Sequence, residues 1–370
     1  VHKYLDAFLR NIVRPLLAVL VALVIGALVI LLSHQNPWEA YNKMLFGAFG
    51  NFNRIAETLE RSIPVILAAL GTAVAFTSGV FNAGVEGSLY LGAFASFLVG
   101  YELTLPAIIH IPLALLGAML VGAAWAFIPG WAKAYYKADE TVTTILLNYV
   151  AVLITSYLVA IPFKDLTAGT QQTPAIHPSA YLPRFLPPSR VHIGLFIAIG
   201  VAIFLYWLLR RTTLGYNIRI VGMNGSFAEY VGVDVPRTMI KAMLMSGAIG
   251  GLAGACQVMG ILRRFVDGFS PGYGFEGIMV ALLARNHPLG IILAGLFYGA
   301  LQTGAAYMDR TTAVPKELLN SMVAVIIFFV TAEGLFAFLE SSEALREKLR
   351  RWHILKGHGG KGGLNNGFPG

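Results

Sequence analysis

One cysteine, Cys256, stands in a chain of 370 residues, which excludes an internal disulfide framework and a cysteine-bound metal cluster. Charge is scarce as well: Asp, Glu, Lys and Arg together make 12%, against roughly 25% in a soluble globular domain. No Gly-x-x-x-x-Gly-Lys-[Ser/Thr] phosphate loop occurs; Lys361, in the glycine-rich end, is followed by glycine instead of a hydroxyl. The eight histidines are scattered among loops and ends, with no metal-ligand spacing and no Ser/His/Asp grouping. These absences argue against an enzyme, a catalytic or metal site and a cofactor.

What the chain has is apolar surface: 56% of it is hydrophobic, and the mean hydropathy is +0.68. Apolar runs at 15–32, 62–78, 86–101, 106–128, 142–161, 192–209, 239–262, 276–284, 288–307 and 318–339 approach the ~20 residues that cross a hydrocarbon core. The expected fold is therefore all-α, a polytopic transmembrane bundle of about ten segments. The first run follows Lys3, Arg10 and Arg14 like the start of a signal peptide, but it is too long for one and lacks a small-residue cleavage pattern, so it reads as a retained span.

The net charge of +8 sits between and after the apolar runs, not on one polar face, so it does not call for a nucleic acid polymer as partner. With an even number of crossings, the two ends and the loops around 133–141 and 210–241 lie on one side and carry 16 lysines and arginines against 10 on the opposite side, which places both termini in the cytoplasm by the positive-inside rule. The transmembrane domain is expected over 1–340, with a cytoplasmic loop at 210–238 and a proline- and threonine-rich extracytoplasmic loop at 162–191. Residues 341–370 turn charged and then glycine-rich, which reads as a disordered cytoplasmic tail.

Two interruptions carry the same signature. Thr77–Ser88 contains Gly84-Val85-Glu86-Gly87, and 190 residues further on, Asp267–Gly277 ends in Gly274-Phe275-Glu276-Gly277. Non-helical backbone survives in a bilayer only where protein or a watery cavity satisfies it, and paired breaks in two halves point to a central solute path. The topology makes the first break follow an inward helix and the second an outward one, so two inverted repeats with broken helices are expected.

Two readings stand for Glu86 and Glu276: acceptors for the exposed amides of the half-helix that follows, or direct solute contacts. Phe81, Asn82 and Phe275 suit a planar polar solute, and equally suit helix packing and turn formation. Asn148 joins Phe81, Asn82, Glu86, Phe275 and Glu276 as a candidate for the solute path, its amide either bonding across helices or facing water; Gln257, Gln302 and Thr303 raise the same question and fit interhelical hydrogen bonding, and Gly247-x-x-x-Gly251, Gly250-x-x-x-Gly254 and Gly295-x-x-x-Gly299 fit close helix approach.

Between the sixth and seventh runs, Ser226-x-x-Glu229 reads as a capping box after an Asn224-Gly225 turn, with Gly232 placed to stop the helix in a left-handed cap. The helix is barely two turns, and Phe227, Tyr230 and Val231 give it one apolar face that needs a partner. Its own loops, the lipid interface and a cytoplasmic subunit all satisfy that need.

Four stretches in order now resemble a known family. They are Phe81–Gly87, Glu140-Thr141-Val142-Thr143-Thr144-Ile145-Leu146-Leu147-Asn148-Tyr149, the Arg219–Gly232 loop, and Gly268-Phe269-Ser270-Pro271-Gly272-Tyr273-Gly274-Phe275-Glu276-Gly277-Ile278. They resemble the permeases of bacterial ABC importers in the branched-chain amino acid and ribose group, nearest to the nucleoside or simple-sugar branch served by a basic membrane lipoprotein. The resemblance covers about 62–339.

It implies a multi-pass permease of the bacterial plasma membrane that moves a nucleoside or related sugar inward by alternating access. It also implies a second homologous permease, two cytoplasmic ATPase subunits and an extracytoplasmic substrate-binding lipoprotein as partners, besides membrane lipid and the small-molecule solute. The short helix would then be the coupling helix, with Arg219, Asn224, Ser226, Phe227, Glu229, Tyr230 and Gly232 serving the ATPase contact. The residues alone leave an ion-coupled secondary transporter and a branched-chain amino acid permease as rivals, and a non-transporting scaffold as a weaker third.

Overall fold

The computed structural model describes residues 24–28, 30, 31 and 34–312, and all of these except Val24 belong to one unit, Ile25–Ala324. The expected span at 318–339, most of the one at 15–32, and the tail at 341–370 lie outside the described residues.

Every regular element described is helical. In chain order these are α1 (Pro37–Phe49), α2 (Phe52–Thr77), α3 (Val85–Glu102), α4 (Ala107–Tyr136), α5 (Glu140–Ala160), α6 (Gly194–Arg211), α7 (Thr213–Met223), α8 (Gly225–Tyr230), α9 (Val235–Gln257), α10 (Tyr273–Leu283) and α11 (Pro288–Thr311). A 3-10 turn lies at Pro178–Ala180, and α9 runs on into a π turn, Val258–Leu262. Six of these segments are long and apolar enough to cross a membrane: α2, α4, α5, α6, α9 with its π turn, and α11.

Polar caps set the helix starts. Asn51 accepts the Arg54 N–H at 3.0 Å, Asp139 that of Val142 at 2.9 Å, and Asp234 that of Arg237 at 3.0 Å. Two starts differ from expectation. Helix α2 begins at 52 instead of 62, because the Asn51 cap and the Arg54–Glu57 and Arg61–Glu57 ion pairs extend it in residues too polar for a hydropathy reading. Helix α1 was not expected; Asn36 caps it and Pro37 opens it, the place where proline fits best.

The core lies where α9 crosses α2, α3 and α4. Of the candidate spans, α2 and α9 are 78% buried, whereas α4 is 22% buried and turns most of its apolar surface outward. Small residues permit the crossings: a Cβ on Gly92 would lie 2.3 Å from the Gly251 Cα, and one on Gly122 would lie 2.3 Å from the Gly247 carbonyl. The glycine patterns thus fall at helix contacts, with Gly295 against Ile66 and Gly299 against Ser62.

The loop over 162–191 does not cross the bundle. It is laced onto the segment after the π turn: Thr173 N–H donates to the Phe265 carbonyl, Ile176 N–H to that of Arg263, and Leu182 N–H to that of Met259, all at 2.9–3.0 Å.

Candidate functional site

After α2, Ser78 returns its hydroxyl to the Ala75 carbonyl at 2.7 Å, and Gly79 takes a φ of +79° directly against Gly222 of α7. Only a residue without a Cβ combines that angle with that approach. The Val80 N–H still returns to the Ala75 carbonyl at 3.2 Å; from there to the start of α3 at Val85, neighbouring side chains satisfy the backbone.

Asn148 of α5 does most of this. Its Oδ1 accepts the Gly87 N–H at 2.8 Å and its Nδ2 donates to the Ala83 carbonyl at 2.8 Å, while the Thr144 hydroxyl accepts the Ala83 N–H at 3.3 Å. Asn82 holds the other end, its Oδ1 accepting the Gly84 N–H at 2.7 Å and its Nδ2 donating to Ser246 Oγ of α9 at 2.8 Å. Asn82 is 1% exposed and Asn148 4%, so both amides are spent on protein partners.

The second break, from Arg263 to Gly272, turns through left-handed Arg263, Gly268 and Gly272. Ser270 Oγ then accepts the Gly272 and Tyr273 N–H groups at 3.2 and 3.1 Å to open α10. The two breaks touch: Glu86 Oε2 accepts the Gly274 N–H at 2.5 Å. A Cβ on Gly274 would lie 2.5 Å from the Glu86 backbone nitrogen, so glycine is what lets the two half-helices meet.

Glu276 is two residues further along α10. Its Oε1 accepts from Gln302 Nε2 of α11 at 3.2 Å, and the same amide donates to Tyr298 Oη at 2.8 Å. This group ends a cavity of about 260 Å³ bounded by Arg61, Tyr273, Glu276 and Gln302. Arg61 and Tyr273 also line a larger cavity of about 590 Å³, with Glu57, Glu60, Arg190, Gln257, Phe269 and Arg310. The two cavities share Arg61 and Tyr273, and the pair is termed the vestibule, with Arg190 and Arg310 on the larger cavity and Glu276 and Gln302 on the smaller.

Of the residues singled out in the sequence, Glu86 and Glu276 are thus brought to neighbouring positions on the joined breaks. Phe81 and Phe275 line neither cavity; both are exposed, and Phe81 stacks on Phe76 at 5.0 Å. Gln257 and Gln302 face the vestibule, whereas Thr303 donates within its own helix to Gly299. Arg61, Tyr273 and Tyr298 are missed by sequence reasoning: an arginine beside two glutamates reads as a helix end, no spacing brings Arg61 or Tyr298 to Glu276, and Tyr273, three residues before Glu276 in α10, reads only as part of the break.

The short helix, α8, is present, and Gly232 has the expected left-handed φ, +85°. Its capping residue is corrected. Asn224, not Ser226, is the N-cap, with Oδ1 accepting the Phe227 N–H at 3.0 Å, because Gly225 already lies in the helix and Ser226 is exposed. Phe227, Tyr230 and Val231 are 51%, 89% and 48% exposed, while Ala228 alone turns inward. Arg219 and Glu229 are exposed beside them.

Comparison with known proteins settles the family. The branched-chain amino acid transport system / permease component family matches residues 54–332. The chain belongs to it. Among its relatives, the guanosine ABC transporter permease protein NupP of Bacillus subtilis is 36% identical over 337 residues, covering 90% of this chain and 96% of the relative. The nucleoside ABC transporter permease protein NupB of Lactococcus lactis is 33% identical, covering 92% and 98%. The glucose ABC transporter permease protein TsgB13 of Haloferax volcanii is 34% identical, covering 86% and 87%. The chain is a multi-pass membrane protein and the permease component of an ABC importer, not its ATPase.

Proposed function

We propose that this permease carries nucleosides into the cytoplasm, with the Arg61–Tyr273–Glu276–Gln302 vestibule as part of the solute path. The observation that carries this reading is the contact between the two breaks beside a polar cavity: a carboxylate, an amide and a tyrosine ring gathered there offer hydrogen bonds and stacking to a nucleobase and its sugar. Relatives named for guanosine and nucleosides support that solute class.

The two halves, in this reading, are inverted repeats whose breaks rock against each other. Asn82, Glu86 and Asn148 hold that junction, while Phe81 and Phe275, exposed beside it, line the path against a second homologous permease. The excess of lysine and arginine on the α8 side supports a cytoplasmic position for α8 and both termini, and the Bacillus and Lactococcus relatives support a bacterial plasma membrane. The apolar face of α8 is then the coupling helix for one of two ATPase subunits, with Arg219, Asn224, Ser226, Glu229 and Gly232 shaping and flanking it. The loop at 162–191 receives an extracytoplasmic substrate-binding lipoprotein, and its hydrogen bonds to 259–267 connect that docking event to the second break.

A sugar is the second reading, favoured by the relative named for glucose. Uptake by the assembled complex in proteoliposomes, with labelled guanosine competed by a panel of nucleosides and hexoses, tests both. ATP-dependent guanosine uptake competed by nucleosides is expected. Competition by hexoses alone moves the assignment to sugars, and uptake by this chain alone on an ion gradient overturns the ABC coupling.

A further inference from the structure

Three amide side chains are buried among the described residues, those of Asn82, Asn148 and Gln257. Asn82 and Asn148 are hydrogen-bonded to protein through both nitrogen and oxygen. Gln257 is 4% exposed, yet no hydrogen bond reaches its amide among the described residues. Neither amide atom is sealed in the core, and Gln257 lines the larger cavity of the vestibule, about 590 Å³. So enclosed an amide without a protein partner is costly unless what enters the cavity meets it.

The chain holds the group in place. Gln257 is the last residue of α9, and the π turn Val258–Leu262 follows it, a winding found frequently at functional sites. Cys256 and Val258 on either side are buried, which fixes the backbone that carries the amide. Phe269 lines the same cavity, its ring held by Tyr90 and Phe265 at 4.9 and 5.3 Å between centroids. At the smaller cavity, by contrast, the Gln302 amide is already spent on Glu276 and Tyr298.

A neutral planar solute in the larger cavity therefore meets an uncommitted amide, a donor and an acceptor side by side, in a space that also offers an aromatic ring. A purine carries the matching pair on its pairing edge: the N6 amino group and N1 in adenine, N1–H and O6 in hypoxanthine and guanine. Such edges are read by hydrogen bonds together with ring contact, and an amide turned end for end serves either order. A hexose has no flat ring for Phe269, and its hydroxyls ask for no such pairing.

We infer that Gln257 reads the pairing edge of the nucleobase in the larger cavity, beside Phe269, an assignment that rests on the nucleoside reading of the vestibule.

The test measures initial uptake of guanosine, inosine and adenosine by the assembled complex in proteoliposomes, with the binding protein unchanged, for the wild type and for Gln257→Glu. A carboxylate accepts at both oxygens: it pairs with N1–H and the 2-amino group of guanine, finds one donor on hypoxanthine, and opposes N1 of adenine. Arg61, Arg190 and Arg310 line the same cavity and offset the added charge. Gln257→Glu should raise the guanosine-to-adenosine ratio at least about tenfold over the wild type, with inosine between them. Gln257→Met, of similar length and without the amide, should lower uptake of all three about tenfold at an unchanged melting temperature, since the amide has no protein partner to lose.

Ratios unmoved by Gln257→Glu, or wild-type uptake in Gln257→Met, overturn the assignment while nucleoside uptake itself stands. A lowered melting temperature in Gln257→Met makes the amide a packing group and overturns it as well. Uptake of hexoses and of no nucleoside by the wild-type complex overturns the nucleoside reading and this assignment with it. Should the glutamate variant fail to assemble, the methionine variant still decides.

Discussion

Glu86 accepts the backbone N–H of Gly274, a residue 188 positions later in the chain. Through this bond the first break caps the start of the second half-helix, so neither break is complete without the other. An orphan amide at a helix start needs such an acceptor, and water has little room here because Gly274 is buried directly against the Glu86 backbone.

Gly274→Ala is the sharpest probe of this junction. Its new Cβ meets backbone at 2.5 Å, which no rotamer change relieves. A loss of about 1–3 kcal/mol in stability is expected, with uptake reduced more than about tenfold, measured by thermal melting and transport of the assembled complex. Wild-type melting and uptake in this variant would show that the half-helices do not need their close approach.

Asn148 gives a second test, because its amide donates to one side of the first break and accepts from the other. Asn148→Asp keeps the acceptor for Gly87 but opposes a carboxylate to the Ala83 carbonyl. We expect it to be less stable by about 1–3 kcal/mol, and Asn148→Leu to be at least as damaging because it leaves both backbone groups unpaired. Denaturation of the detergent-solubilised protein measures both.

On α8, capping and docking separate cleanly. Asn224→Ala should cost about 1 kcal/mol of local helix stability, read as faster amide exchange at Phe227, whereas Ser226→Ala should be close to neutral. An equal effect of the two would return the cap to Ser226.

The exposed face of the same helix is the docking test. Phe227→Asp with Tyr230→Asp should leave the melting temperature nearly unchanged, since both rings already face outward. Co-purification with the ATPase subunit should fall by at least about tenfold. Retained association rules α8 out as the coupling element.

At the vestibule, Glu276→Gln keeps the size of the side chain while changing one carboxylate oxygen to an amide donor facing Gln302. Lower nucleoside uptake by about tenfold with unchanged ATPase association is expected if solute meets this group, measured by initial rates in proteoliposomes. Unchanged uptake would leave Glu276 a packing partner of Gln302 and Tyr298.

Much of the architecture was legible in the order of residues. Six of the ten apolar runs fall on helices long and apolar enough to cross a bilayer, whose thickness fixes that length, and the repeated Gly-x-Glu-Gly marked the breaks because continuous helices avoid such glycines. Gly232 was legible as a helix stop since only a left-handed φ fits there. The start of α2 and the whole of α1 were not, because their capping asparagines and ion pairs sit in stretches too polar for hydropathy to recognise. Ser226 misled through a four-residue pattern, when the side chain two residues earlier, Asn224, was the one aimed at the free amide of Phe227.

The sequence by itself determined a helical membrane protein with two interruptions and a short helix, since hydropathy, glycine and capping act over a few neighbouring residues, and four motifs in order supplied the resemblance to permeases. Only the tertiary structure decided that Glu86 belongs to Gly274, that Asn148 is consumed by the backbone of the first break and Asn82 by that backbone and Ser246 of α9, and that Glu276 shares a cavity with Arg61 and Gln302. Those pairings join residues tens to hundreds of positions apart. They depend on how closely glycine faces let α9 approach α3 and α4, and on where the breaks aim the half-helices, which no local pattern encodes.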